Sequence, residues 1–112
     1  MFDSNFIIMA NLTQVEWAEQ LANDSNAVVL DVRTQGEINE GIIPKAIHLD
    51  IYMGREFIDD LNKLDKNKNY YVYCRSGNRS GQACSIMEQM GFKGAYNLVG
   101  GMLEWQGETV LP

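Results

Sequence analysis

The sequence predicts an α/β fold: a mainly parallel central sheet of about five strands with helices on both faces. Three observations carry this prediction. Short apolar runs alternate with helical patterns along the whole chain. The run Val28-Val29-Leu30-Asp31-Val32 lacks polar–apolar alternation, as expected of a strand covered on both faces. No repeat, linker or compositional break divides the 112 residues, so a single domain spanning 1–112 is expected.

Taken in order, Phe6–Met9 reads as a first short strand. Thr13 and Glu16 stand at capping-box spacing and open a helix through about Ala22. Val15 and Leu21 are expected to share part of its buried face, with Trp17 or Ala18 beside them. The Val28–Val32 strand follows, then one or two helical turns over Gln35–Asn39. Gly41 and Pro44 punctuate a loop, and Ala46–Leu49 reads as a short strand. Phe57, Ile58, Leu61 and Leu64 recur at helical spacing within Glu56–Leu64. The polar stretch Lys63–Asn69 is a surface turn, and Tyr70–Tyr73 the next strand. Arg75–Ser80 reads as a polar loop and Gly81–Met90 as a helix stopped by Gly91. Tyr96–Val99 forms the last strand. Gly100-Gly101 then leads into a short helix ending near Trp105.

Composition narrows the function. Nine Lys plus Arg against fifteen Asp plus Glu give a net charge of -6. Nucleic acids are held by clustered cations, and anionic membranes by basic amphipathic stretches; this chain has neither, so no nucleic-acid or membrane partner is expected. Its longest apolar run, Phe6–Ala10, is far short of the ~20 residues of a spanning helix. The N-terminus lacks Lys and Arg and carries Asp3, unlike a secretory signal. Two cysteines make no disulfide framework, and a cytoplasmic setting with free thiols is expected. A lone histidine, His48, and a cysteine spacing that fits no zinc pattern lead to the expectation of no metal and no other cofactor. The Gly-x-Ser-x-Gly elbow of serine hydrolases is absent.

The informative stretch is Tyr73-Cys74-Arg75-Ser76-Gly77-Asn78-Arg79-Ser80. It places a cysteine directly after a buried strand and before a helix, where open α/β sheets bind ligands. Gly77 permits a positive φ and Asn78 tolerates one, so the backbone N–H groups can curl inward. The helix N-terminus aims its positive end at the same spot, and Arg75 and Arg79 add two charges. A thiol in such a nest has its pKa drawn down from about 8.5 into the range of roughly 3.5–7.5. The pattern suits a cysteine nucleophile that attacks an anion.

This stretch resembles the active-site loop of single-domain rhodaneses, the thiosulfate sulfurtransferases. Leu30-Asp31-Val32-Arg33 followed by Glu37 resembles the family's first signature. Gly41-Ile42-Ile43-Pro44-Lys45-Ala46-Ile47 resembles its Gly-His-Ile-Pro-Gly-Ala segment. Gly91-Phe92 and Leu98-Val99-Gly100-Gly101-Met102-Leu103-Glu104-Trp105 resemble its C-terminal signature. Two departures, Ile42 for the usual His and Lys45 for the usual Gly, lie outside the cysteine loop. The resemblance implies a two-step reaction. Cys74 takes the outer sulfur of a small anionic donor such as thiosulfate, and a thiol, a protein thiol or cyanide removes it. The backbone of Arg75 to Ser80 would hold the persulfide, Arg75 and Arg79 would steer the donor, and Ser76 and Ser80 would bond the sulfur or cap the helix. A monomer is expected.

Asp31 and Arg33 read as an ion pair anchoring a neighbouring connection, with substrate contact the alternative. Glu37 reads as a brace for loop N–H groups, and His48 as an ordinary strand-end hydrogen bonder. Cys84 reads as a core residue, with a resolving role toward Cys74 as the alternative. Trp105 reads as a core plug behind the glycine pair. Two other functions compete. Cysteine phosphatases and arsenate reductases use a similar anion nest, but with five residues between Cys and Arg where this chain has four. A rhodanese-like protein-binding or persulfide-relay module is the other.

Overall fold

The computed structural model describes residues 9–112. Five strands, β1 (Met9–Leu12), β2 (Ala27–Asp31), β3 (Ile47–His48), β4 (Asn69–Tyr73) and β5 (Gly94–Leu98), form one sheet in the order β1-β5-β4-β2-β3. Every pairing is parallel, with Leu30 opposite Val72, Val72 opposite Asn97, and Asn97 opposite Asn11. Parallel strands need crossovers, and helices supply them: α1 (Gln14–Ala22), α2 (Gln35–Ile38), α3 (Arg55–Leu61), α4 (Asn78–Gln89) and α5 (Gly101–Glu104).

The helices cover both faces, as predicted. Phe57 and Leu61 of α3 and Ala83, Cys84 and Met87 of α4 pack on one face against Leu30, Tyr70 and Val72. The other face is built around Trp17 of α1, with Tyr71, Tyr73 and Leu98 beneath it. Trp17 meets Tyr71, Tyr73 and Trp105 edge-on at centroid distances of 5.8, 6.3 and 5.5 Å, and its Nε1 donates to the Tyr96 carbonyl at 3.1 Å. No helix among the described residues is long and apolar enough to cross a membrane.

Several boundaries differ from the sequence reading. Residues 6–8 of the expected first strand lie outside the described residues, and the strand in the structure runs Met9–Leu12. The capping box of α1 forms as read, but Val15 is 69% exposed, because α1 turns Trp17 inward. β5 begins at Gly94 and ends at Leu98, leaving Val99 exposed. Leu64 packs on the core from beyond the end of α3. α4 starts at Asn78 rather than Gly81, so Asn78, Arg79 and Ser80 belong to its first turn. Their polarity reads as loop because the first turn of a helix has N–H groups to share with a ligand.

Candidate active site

β4 lies inside the sheet, between β2 and β5, and ends at Tyr73. Cys74 follows, fully buried, and its carbonyl accepts from Met102 N at 3.0 Å. Gly77 then turns the chain at φ 105, a left-handed conformation that frees the next residue to start α4. A Cβ at Gly77 would lie 3.3 Å from the Leu98 carbonyl oxygen, so glycine also lets the loop press against the end of β5.

The loop closes on sulfur. Gly77 N donates to Cys74 Sγ at 3.1 Å, Ser80 N at 3.4 Å and Ser80 Oγ at 3.3 Å. Gly77 is the N-cap of α4 and has no side chain to offer, so Sγ takes the capping role from three residues upstream. Burial pushes the Cys74 thiol up. The Ser80 hydroxyl and the N–H groups of Ser80, Gly77 and Ser76 more than offset this, and the pKa ends below its ordinary value. The loop's own donors lead this lowering, and Arg79, one of the two arginines to which the sequence also pointed, adds a coulombic attraction to the Cys74 charge.

Arg79 is engaged elsewhere. Its Nη1 and Nη2 donate to Glu37 Oε1 and Oε2 at 2.8 and 2.9 Å, and its guanidinium lies 5.4 Å from the Tyr52 ring. Glu37 also accepts from Thr34 N at 3.1 Å, closing a second capping box that starts α2. The Arg79 guanidinium holds the Glu37 carboxyl down at about 2. Arg75 is exposed and lines a cleft with Arg33, Glu37, Gly41, Met102 and Leu103. Ser76 and Asn78 are exposed at the rim of the loop.

Asp31 and Arg33 form a buried pair at 2.8 Å, and Arg33 Nη2 also donates to the Gly41 carbonyl at 2.7 Å. Arg33 thus fixes the loop after α2, while His48 Nε2 lies 2.6 Å from the Arg33 carbonyl. Neither Asp31 nor Arg33 bonds the sulfur. Cys84 is buried on α4, and burial pushes its thiol up to about 12.

The sequence reading missed Asn97. It is 4% exposed on β5, and its Oδ1 accepts from Ser80 Oγ at 2.5 Å. Its Nδ2 donates to Asn11 Oδ1 at 2.9 Å and to the Gly77 carbonyl at 3.2 Å. The available signal was an asparagine within an otherwise apolar strand, since a buried carboxamide must find partners.

A scan of protein families matches residues 14–108 to the Rhodanese-like domain. The chain belongs to the rhodanese family. The putative sulfurtransferase YtwF of Bacillus subtilis is 42% identical over 91 residues, covering 81% of this chain and 84% of the relative. The thiosulfate sulfurtransferase GlpE of Coxiella burnetii is 34% identical over 89 residues, 80% of each chain. Among solved structures, the rhodanese-like domain protein of Staphylococcus aureus superposes with a TM-score of 0.79 at 31% identity, covering 93% of this rhodanese and 99% of that chain.

Proposed function

We propose that this rhodanese moves sulfane sulfur from thiosulfate to a thiophilic acceptor, cyanide or a thiol, through a persulfide on Cys74. The observation that carries the proposal is the convergence of three donors on one sulfur at the end of β4. Such donors favour the thiolate, which is the nucleophile. The Cys74 thiolate attacks the outer sulfur of thiosulfate, the S–S bond of the donor breaks, and sulfite leaves with the electron pair. Cyanide or a thiolate then attacks the outer sulfur of the persulfide, and the Cys74 thiolate returns. No net oxidation or reduction is required. The Arg75–Ser80 loop holds the anionic sulfur, Arg75 draws the donor into the cleft, and Asp31, Arg33 and Glu37 keep the surrounding loops in place. A relative named for thiosulfate transfer supports the choice of donor.

The phosphatase reading finds no support in the site. Its arginine would have to face the bound anion, whereas Arg79 is clamped by Glu37. A protein-persulfide relay is the same chemistry with a protein thiol as acceptor.

Incubation with thiosulfate is expected to add the mass of one sulfur atom to the intact protein. Cys74→Ser is expected to lose that adduct, and at least a thousandfold of thiosulfate-to-cyanide transfer, on the order of 4 kcal/mol of barrier, with the fold intact. An adduct that survives in Cys74→Ser would refute the assignment. So would robust aryl-phosphate hydrolysis by the unaltered protein that Cys74→Ser abolishes.

A further inference from the structure

Asn97 makes three bonds that no step above uses. A backbone carbonyl only accepts, so the Gly77 contact identifies the Nδ2 end of the carboxamide. Oδ1 therefore faces Ser80, which must donate to it. The same Ser80 Oγ lies 3.3 Å from Cys74 Sγ. A hydroxyl carries one proton, and here it has two acceptors. While the sulfur is a neutral thiol, the carboxamide oxygen at 2.5 Å is the better acceptor. Once the sulfur is charged, a charge-assisted bond to Sγ is roughly twice as strong as a neutral one.

We propose that Asn97 is a positioning residue for the Cys74 nucleophile: its Oδ1 holds the Ser80 proton while Sγ is neutral and releases it when Sγ is charged. The proposal rests on the reading of Cys74 as nucleophile. On ionisation the thiol proton passes to water, the Ser80 hydroxyl turns about its Cβ–Oγ bond, and no heavy atom has to move. When Sγ bonds a second sulfur, the charge moves to the outer atom and the Ser80 proton returns to Asn97. The Ser80–Asn97 bond thus opposes ionisation of the resting thiol, while the Nδ2 contact with Gly77 keeps the loop in register. The other groups around the sulfur keep their charge state through this change. Arg79 on α4 is paired with Glu37, Arg75 stands at the rim, Cys84 on α4 is a buried thiol, and among the described residues β5 and β1 bring the neutral carboxamides of Asn97 and Asn11.

The test is the pH dependence of Cys74 alkylation by iodoacetamide. Ser80→Ala is expected to raise the midpoint. Asn97→Leu keeps the branching at Cγ and removes the competing acceptor, and is expected to lower the midpoint by about half a unit to one unit. In a Ser80→Ala background, Asn97→Leu is expected not to lower the midpoint, because only the Nδ2 contacts are then lost. A residue that merely braced the loop would raise the midpoint when removed, because the Gly77 and Ser80 donors would slacken. A raised or unchanged midpoint in Asn97→Leu therefore overturns the proposal. A second measurement needs no change at Asn97. In the unaltered protein, the Asn97 Cγ resonance is expected to titrate with the alkylation midpoint, and in Ser80→Ala to stop doing so. A resonance flat through that midpoint, or one that titrates equally in Ser80→Ala, overturns the proposal. Both readouts report the thiolate without thiosulfate, so they stand or fall separately from the sulfur-transfer assay.

Discussion

Cys74 and Cys84 are both fully buried in the same cluster, yet their thiols are displaced in opposite directions. Donors make the difference. Burial, and after it the neighbouring Cys74 charge, push Cys84 up with no donor to offset them, and a thiol held near 12 is neither a ready nucleophile nor a ready partner for exchange. Cys84→Ala is expected to retain most sulfur transfer while lowering stability by about 1 kcal/mol for the lost buried sulfur, read from urea unfolding. Lys45 shows a second residue-scale effect. It takes φ 70, the one described non-glycine residue with positive φ, at the position the resemblance to the family's Gly-His-Ile-Pro-Gly-Ala segment assigns to glycine. A side chain there costs about 1–2 kcal/mol, against roughly 0.5–1 kcal/mol for the extra freedom of glycine in the unfolded chain. Lys45→Gly is therefore expected to raise the urea midpoint slightly, with an unchanged slope.

At the scale of elements, one carboxylate serves two helices. Glu37 caps α2 through Thr34 and clamps the first turn of α4 through Arg79. Its folded pKa of about 2 lies below the ordinary 4.5, so its contribution is complete above that ordinary value and fades as pH falls toward 2. Glu37→Gln is expected to cost about 2 kcal/mol at neutral pH and to flatten the acid limb of the stability profile. α5 is fitted as closely. A Cβ on Gly101 would lie 2.5 Å from the carbonyl oxygens of Cys74 and Arg75, at a φ of +56. Gly101→Ala must push the cysteine loop away, and is expected to slow sulfur transfer and raise the alkylation midpoint while β4 stays intact. The capping pair Thr13–Glu16 and the Gly77 turn could be read from the chain because their partners are close in sequence; Glu37 reads there as a brace for loop N–H groups, without Thr34 as its capping partner. The Glu37–Arg79 clamp and the Asn97 bonds could not be read. Their partners are 42, 17, 86 and 20 positions apart, and nothing local in a strand tells which polar group will lie beside which. The same limit misplaced Val15, since helical spacing alone does not choose between Val15 and Trp17 for the inward face.

Across the whole molecule, strand order sets the gradient of rigidity. β4 is bonded on both sides and covered on both faces, while β1 and β3 are edges, β3 of only two residues. Native-state hydrogen exchange is expected to be slowest at Tyr70–Tyr73 and Val28–Leu30, and faster at Met9–Leu12 and Ile47–His48. Uniform protection across the five strands would contradict this ordering. The β1–β5 pairing also bears on how the molecule is made. Met9–Leu12 pairs with Ala95–Leu98, so the first described strand waits for the last, and such distant pairings form slowly. Chains leave the ribosome N-terminus first. Cys74 therefore emerges before Asn97 and before the glycine pair that closes over its loop. A nascent chain that has not yet exposed β5 carries an ordinary, uncovered thiol, so the vulnerable period for this sulfur is the interval of its own synthesis.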